Sequence, residues 1–208
     1  MTSIDFNKYQ SDAASTMNPN LDVRDKIANC GTGLAGEVLE ISQAIWPKEQ
    51  NYLRLLLPFP KDTISELAKE LGDICWYSAV LAKSYGEFSG DETTWKMSSI
   101  CADIVNKFKH NKAFASAGLE RSFFSLADHV EEVHTLVKWH IYHYHKWTAD
   151  VSEKIRNALH FVIEDVANLA ELGCDMRLQE VLDANIEKLR RRYPTGQFTT
   201  EHSVNRSS

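Results

Sequence analysis

The chain has 208 residues, 43% of them hydrophobic and 25% charged, with a net charge of −6. That length suits one domain with a core of ordinary size, and the negative balance speaks against a nucleic-acid surface, which needs a basic footprint. A polar N-terminus and the lack of any apolar run of transmembrane length argue against a signal peptide and a membrane partner. The four cysteines, Cys30, Cys75, Cys101 and Cys174, are widely spaced without a Cys-x-x-Cys and read as thiols of a reducing compartment, so the expectation is a cytoplasmic protein.

In chain order, Ile4, Phe6, Tyr9, Gln10 and Ala13 predict a short amphipathic helix over 4–17, ended by Asn18-Pro19-Asn20. A second helix is expected from about Asp25 to Trp46. Pro47, Pro58 and Pro60 mark a connecting loop in which Leu55-Leu56-Leu57 forms a short turn or a cover. A third helix, capped by Asp62 or Thr63 with Glu66 in a capping-box position, is expected to run to Tyr85 and close at Gly86. Further helices are predicted over 92–112, 120–147, 151–172 (ending at Gly173) and 178–192. Strand-like alternation is absent, so the fold class is all-α, a helical bundle.

Two acidic pairs organise this pattern. Glu37/Glu40 and Glu70/Asp73 each have i,i+3 spacing, which puts both carboxylates of a pair on one helix face. Leu34, Val38, Ile41 and Ile45 form one apolar stripe, and Leu67, Leu71, Ile74, Ser78 and Leu81 form the other. At about 100° per residue, the first acid of each pair falls roughly 60° from its stripe and the second roughly 120°. If the stripes pack together, four carboxylates line one edge of the seam. A hard divalent cation would offset their repulsion, and an oxygen-only donor set suits Mg²⁺ or Mn²⁺. On the late helix Asn185, Lys188 and Arg192 recur at i, i+3 and i+7 and share a face.

Three segments carry a resemblance. Gly33-Leu34-Ala35-Gly36-Glu37-Val38-Leu39-Glu40, Glu70-Leu71-Gly72-Asp73-Ile74-Cys75-Trp76-Tyr77 and Asn185-Ile186-Glu187-Lys188-Leu189-Arg190-Arg191-Arg192-Tyr193-Pro194 are similar to the MazG-like all-α nucleoside triphosphate pyrophosphohydrolases. Tyr9-Gln10 with Thr16 also resembles the opening helix of compact members. The resemblance implies that Glu37, Glu40, Glu70 and Asp73 hold Mg²⁺. It also implies cleavage between the α- and β-phosphates to a nucleoside monophosphate and pyrophosphate, with deoxynucleotides as the expected substrates. Glu37 or Glu40 would take a proton from water. Asn185, Lys188, Arg192 and Tyr193 would bind the substrate, and Trp46 and Tyr77 are candidates to stack on its base. Homo-oligomerisation, as a dimer or tetramer, is expected as well. The alternative is a non-catalytic helical protein that senses nucleotide through the same acidic site.

The chain departs from the compact pattern between its second and third motifs. The expected organisation is a single all-α domain over 1–208 with a helical insertion at about 88–155, or a degenerate second repeat. In the latter case Asn157 and His160 stand where Glu70 and Asp73 stand in the first copy, and Asp128 and Glu131 where Glu37 and Glu40 stand. The insertion holds His129, His134, His140, His143 and His145. Glu131/His134 is the only Glu-x-x-His in the chain, one short of a di-iron site, so the stretch reads as core packing, subunit contact or a wall of the base pocket.

Overall fold

The computed structural model describes residues 4–46, 59–104, 115–143 and 146–201. Among them it contains helices α1 (Phe6–Ser15), α2 (Val23–Ile45), α3 (Lys61–Ser89), α4 (Met97–Ile100), α5 (Ala115–Tyr142), α6 (Ala149–Cys174) and α7 (Leu178–Arg192). The all-α class read from the sequence is what the chain adopts. The loop containing Leu55–Leu57, the basic stretch Lys107–Lys112 and His145 lie outside the described residues.

Local chemistry accounts for most of the boundaries. Asp5, Asp22 and Thr148 each accept a hydrogen bond from an orphan backbone N–H at the start of α1, α2 and α6. Helix α3 instead begins directly after Pro60, without a side-chain cap. Asp62, Thr63 and Glu66 therefore do not form the expected capping box, and Glu66 pairs with Lys69 at 3.2 Å. The helix also runs past Gly86 and closes at Gly90, which takes the left-handed conformation with φ of 72°. Helix α6 similarly passes Gly173 and closes at Asp175, with φ of 53°.

The expected helix over 92–112 is corrected in its described part. Residues 92–95 are turn, Lys96 is extended, and only Met97–Ile100 is α-helical before a further turn. The Gln10 side chain explains the shape: its amide donates to the Trp95 carbonyl at 3.0 Å while its oxygen accepts from the Met97 N–H at 3.2 Å. Tertiary hydrogen bonds have taken up backbone groups that a helix would have paired internally. The expected helix over 120–147 is also shifted, and α5 ends at Tyr142. Trp147 leaves the helical path to stack on Tyr85, 5.0 Å between ring centres, beside Trp95, Phe88 and His140.

Helices α2, α3, α5 and α6 form a four-helix bundle with antiparallel neighbours. Gly33 lies against Tyr77 between α2 and α3, and Gly31 against Val137 between α2 and α5. His129 meets Asp165 between α5 and α6, and Leu67 packs on Gly173 between α3 and α6. The two stripes read from the sequence line this core. Leu34, Ile41, Leu67, Leu71, Ile74 and Leu81 are fully buried, and Val38 is half-buried against them. Helices α1 and α7 lie on the outer side of α3, with Tyr9, Ala13, Val181 and Leu182 extending the same core. All four cysteines are buried free thiols.

Candidate metal and phosphate site

The antiparallel register of α2 and α3 brings the two acidic pairs together. One turn along from the Gly33/Tyr77 contact, Glu37 faces Asp73. A carboxylate oxygen from each of Glu37, Glu70 and Asp73 lies within 4.8 Å of the other two. Glu40 stands beside this triad, exposed to solvent, and its charge reaches both Glu37 and Glu70. Packing at Gly33 makes the register possible, since a Cβ there would sit 2.2 Å from the Tyr77 ring. Any larger residue would push the Tyr77 ring out of its place against α2 at the turn that aligns the acids.

Helix α7 supplies the opposite side of the site. Lys188 donates to both oxygens of Asp73, at 2.6 Å for Oδ1. Asn185 donates its amide N–H to the same Oδ1 at 3.1 Å and accepts from the Tyr9 hydroxyl at 2.9 Å. Burial, followed by the charges of Cys75 and Asp73, holds the Tyr9 pKa well above its ordinary value, so Tyr9 stays a neutral donor. Gly72 lets α7 approach: a Cβ at this position would lie 3.0 Å from both Cβ and Nδ2 of Asn185. The glycine between Glu70 and Asp73 is thus the point where the late motif docks on the acidic one.

Electrostatics show that the acids are under-compensated. Glu70 is 4% exposed and accepts from Lys69 at 2.9 Å, yet burial still raises its pKa above its ordinary value. Burial raises Glu37 further, to about 8, helped by the charges of Asp73, Glu40 and Glu70 and only partly opposed by Lys188. One oxygen of Glu37, Oε2, is buried with no hydrogen-bond partner. An unpaired, buried carboxylate oxygen beside two other carboxylates is costly to leave alone. The all-oxygen donor set fits a hard divalent cation such as Mg²⁺ or Mn²⁺.

The remaining expected site residues are placed as follows. Tyr77 lies one turn beyond Asp73, about 6 Å along the axis of α3, with its ring edge-on to Trp76 at 4.8 Å. Trp46 ends α2 some nine residues past Glu37, about 13 Å along the axis, and packs against Phe123 at 4.9 Å and Phe124 at 6.4 Å. Arg192 is half-buried on α7 with no ion pair among the described residues, whereas Arg190 pairs with Asp12 and Arg191 with Glu187. Tyr193 is buried and its ring lies 5.9 Å from Phe198. Asn157, Asp128 and Glu131 are exposed, and His160 is half-buried with its Nδ1 2.8 Å from the Ile100 carbonyl oxygen.

Two contributors were not assigned site roles from the sequence. Tyr9 sits on an ordinary apolar stripe, and nothing local marks its hydroxyl as the group that orients Asn185. Lys69, beside Glu70 in sequence, looks like any solvated helix lysine.

No curated protein and no solved structure shows a significant match to this chain. Residues 27–113, which contain Glu37, Glu40, Glu70 and Asp73, match the family model of the MazG nucleotide pyrophosphohydrolase domain, and over that stretch the chain carries a MazG-like nucleotide pyrophosphohydrolase domain.

Proposed function

We propose that this protein hydrolyses nucleoside triphosphates, deoxynucleotides among them, at the α–β phosphoanhydride, releasing a nucleoside monophosphate and pyrophosphate with the help of Mg²⁺ or Mn²⁺. The observation that carries this reading is the meeting of the Glu37/Glu70/Asp73 cluster with the basic face of α7 at one place. A triphosphate needs both signs of charge: carboxylates to hold its counter-cation and an ammonium or guanidinium to hold its oxygens.

In this mechanism Glu37, Glu70 and Asp73 are the cation ligands. When bound, the cation neutralises phosphate charge and acidifies water. Glu40 is exposed beside the triad and takes the proton from the attacking water. Lys188 and Arg192 contact phosphate oxygens and stabilise charge on the leaving pyrophosphate. Asn185 is 3% exposed, and both ends of its amide are engaged, so its task is to hold Asp73 in the ligating orientation rather than to reach substrate. Tyr77 is close enough to line the sugar or base, while Trp46 borders the site beyond Glu40. Buried free thiols accord with a reducing, cytoplasmic setting. Among the described residues no helix is long and apolar enough to cross a membrane. Exposed Phe124, Tyr142 and Phe161 are available for a homo-oligomeric contact.

The test is product analysis of the full chain with all common NTPs and dNTPs, with Mg²⁺ and with Mn²⁺, alongside Glu40→Gln and Asp73→Asn. Pyrophosphate release by the native protein and its loss in both variants, with the helical circular dichroism signal retained, is the expected result. Turnover that survives in both variants would sink the reading. Tight nucleotide binding without product would favour the nucleotide-sensing alternative.

A further inference from the structure

Lys188 stands where a cation ligated by Asp73 would need room. Its ammonium donates to both Asp73 oxygens, and one of those, Oδ1, also receives the Asn185 amide. Asp73 therefore has no oxygen free of an internal donor, although it belongs to the acidic triad. Each of the two side chains in the Lys188–Asp73 pair keeps only about a fifth of its surface exposed, so water screens their attraction weakly.

The two donors on Asp73 differ in what they can do. Asn185 is locked, because its side-chain oxygen accepts from the buried Tyr9 hydroxyl and its side chain lies tight against Gly72. Lys188 sits on a flexible four-carbon stem with three rotatable donors and, among the described residues, hydrogen-bonds to no second carboxylate. A divalent cation drawn to the unpartnered Oε2 of Glu37 would repel the ammonium and compete with it for Asp73. The ammonium is the partner that can leave, and phosphate oxygens are the acceptors it would meet next.

We propose that Lys188 is a built-in counter-ion that keeps divalent-cation affinity low in the substrate-free site and couples cation loading to triphosphate capture. The cation takes over Asp73, the released ammonium binds phosphate, and each ligand raises the affinity of the other because both favour the state in which the ion pair is broken. The coupling half rests on the reading of the site as a triphosphate site. The counter-ion half rests only on the geometry of Lys188 and Asp73.

The experiment measures Mn²⁺ binding to the full chain without nucleotide, by the electron paramagnetic resonance signal of free Mn²⁺, for native protein, Lys188→Met and Lys188→Arg. Lys188→Met should bind Mn²⁺ about tenfold more tightly or better, within the usual range of coupling between sites. Lys188→Arg should stay near the native value. A non-hydrolysable triphosphate should strengthen Mn²⁺ binding to native protein and do so much less in Lys188→Met. Unchanged or weaker Mn²⁺ binding in a folded Lys188→Met protein would overturn the proposal. If that variant fails to fold, the native protein decides: the Lys188 ammonium, protected from exchange in nitrogen-15 NMR spectra without metal, should lose that protection when Mg²⁺ is added. Persistence of protection at saturating Mg²⁺ would equally overturn it. Should the native protein cleave no triphosphate while Lys188→Met still gains Mn²⁺ affinity, the enzymatic reading falls and the counter-ion stands.

Discussion

The α2/α3 and α5/α6 hairpins each bury acidic side chains in a helical seam, and they handle the charge in opposite ways. In α5/α6, Asp165 is 6% exposed and meets His129 Nδ1 at 2.8 Å, with a second hydrogen bond from Ser125. The exposed ring of Phe161 stacks on His129 at 4.9 Å and covers the pair. In α2/α3 the acids converge on one another, and Glu37 keeps an orphaned oxygen. Both seams cost desolvation, which raises the Asp165 pKa as well, but Asp165 has hydrogen-bond partners from its own seam whereas Glu37 Oε2 has none. A buried acid with local partners is part of the scaffold, whereas a cluster in which one buried carboxylate oxygen lacks a donor could receive a ligand.

The sharpest way to test this contrast is to make the same chemical change in both seams. Glu70→Gln should lower pyrophosphate release by at least about 100-fold, since even residues that merely support a metal ligand are worth about 10- to 100-fold. Asp165→Asn should leave turnover unchanged. A large loss of turnover in Asp165→Asn would break the distinction.

Stability should respond in the reverse sense. Asp165→Ala strands His129 and Ser125 in a covered seam and should destabilise the fold by about 1–3 kcal/mol, measured by urea denaturation. Glu37→Gln removes an uncompensated charge and should stabilise metal-free protein at pH 8. The pH dependence follows from the same cause. The folded-state pKa of Glu37 is about 8, above its ordinary value, so the folded state binds more protons than the unfolded state between about pH 4.5 and pH 8. Metal-free stability should therefore fall as pH rises through that window. The contribution is on the order of 1–2 kcal/mol once solvent screening of a half-exposed group is allowed for. Thermal melts with EDTA at pH 5 and pH 8 would show it, and excess Mg²⁺ should reverse it. A melting profile that is flat in native protein, or equally steep in Glu37→Gln, would refute it.

The smallest expected effect lies at the aromatic box that joins α3 to the second hairpin. Burial, aided by the charge of Arg24, pulls the His140 pKa below its ordinary value. The folded state then holds fewer protons on this group than the unfolded state, so its contribution is lost as pH falls from about 6.5 through the folded pKa. Protonation would set a charge among Tyr85, Phe88 and Trp147. His140→Gln should flatten the melting profile on the acid side without altering Mn²⁺ binding.

Much of this architecture was legible because it rests on local period. Stripes at 3.6-residue spacing located α2, α3, α6 and α7 within a few residues, and the two i,i+3 acidic pairs stood out against them. The misplaced ends share a cause. Gly86 and Gly173 read as helix stops, but each lies inside a helix that packing carries onward, and Gln10 reaches from α1 to hold residues 95–97 out of helix. The family match ends at residue 113, so nothing in it links the acidic pairs to α7. That link comes from Gly72, whose missing side chain lets Asn185 and Lys188 reach Asp73 across more than a hundred residues of chain.

The sequence by itself determined that this chain is helical and that two acidic pairs share the edges of two apolar stripes. It also determined that a late helix carries a basic face, since helical period turns spacing into direction. Only the tertiary structure decided which charges meet. The α2/α3 register gathered Glu37, Glu70 and Asp73 and left Glu40 at the rim, while α7 set Lys188 on Asp73. On the far hairpin, packing gave Asp165 a histidine and left Glu37 with none. Such choices depend on where distant helices touch, and no local pattern encodes a contact made at long range.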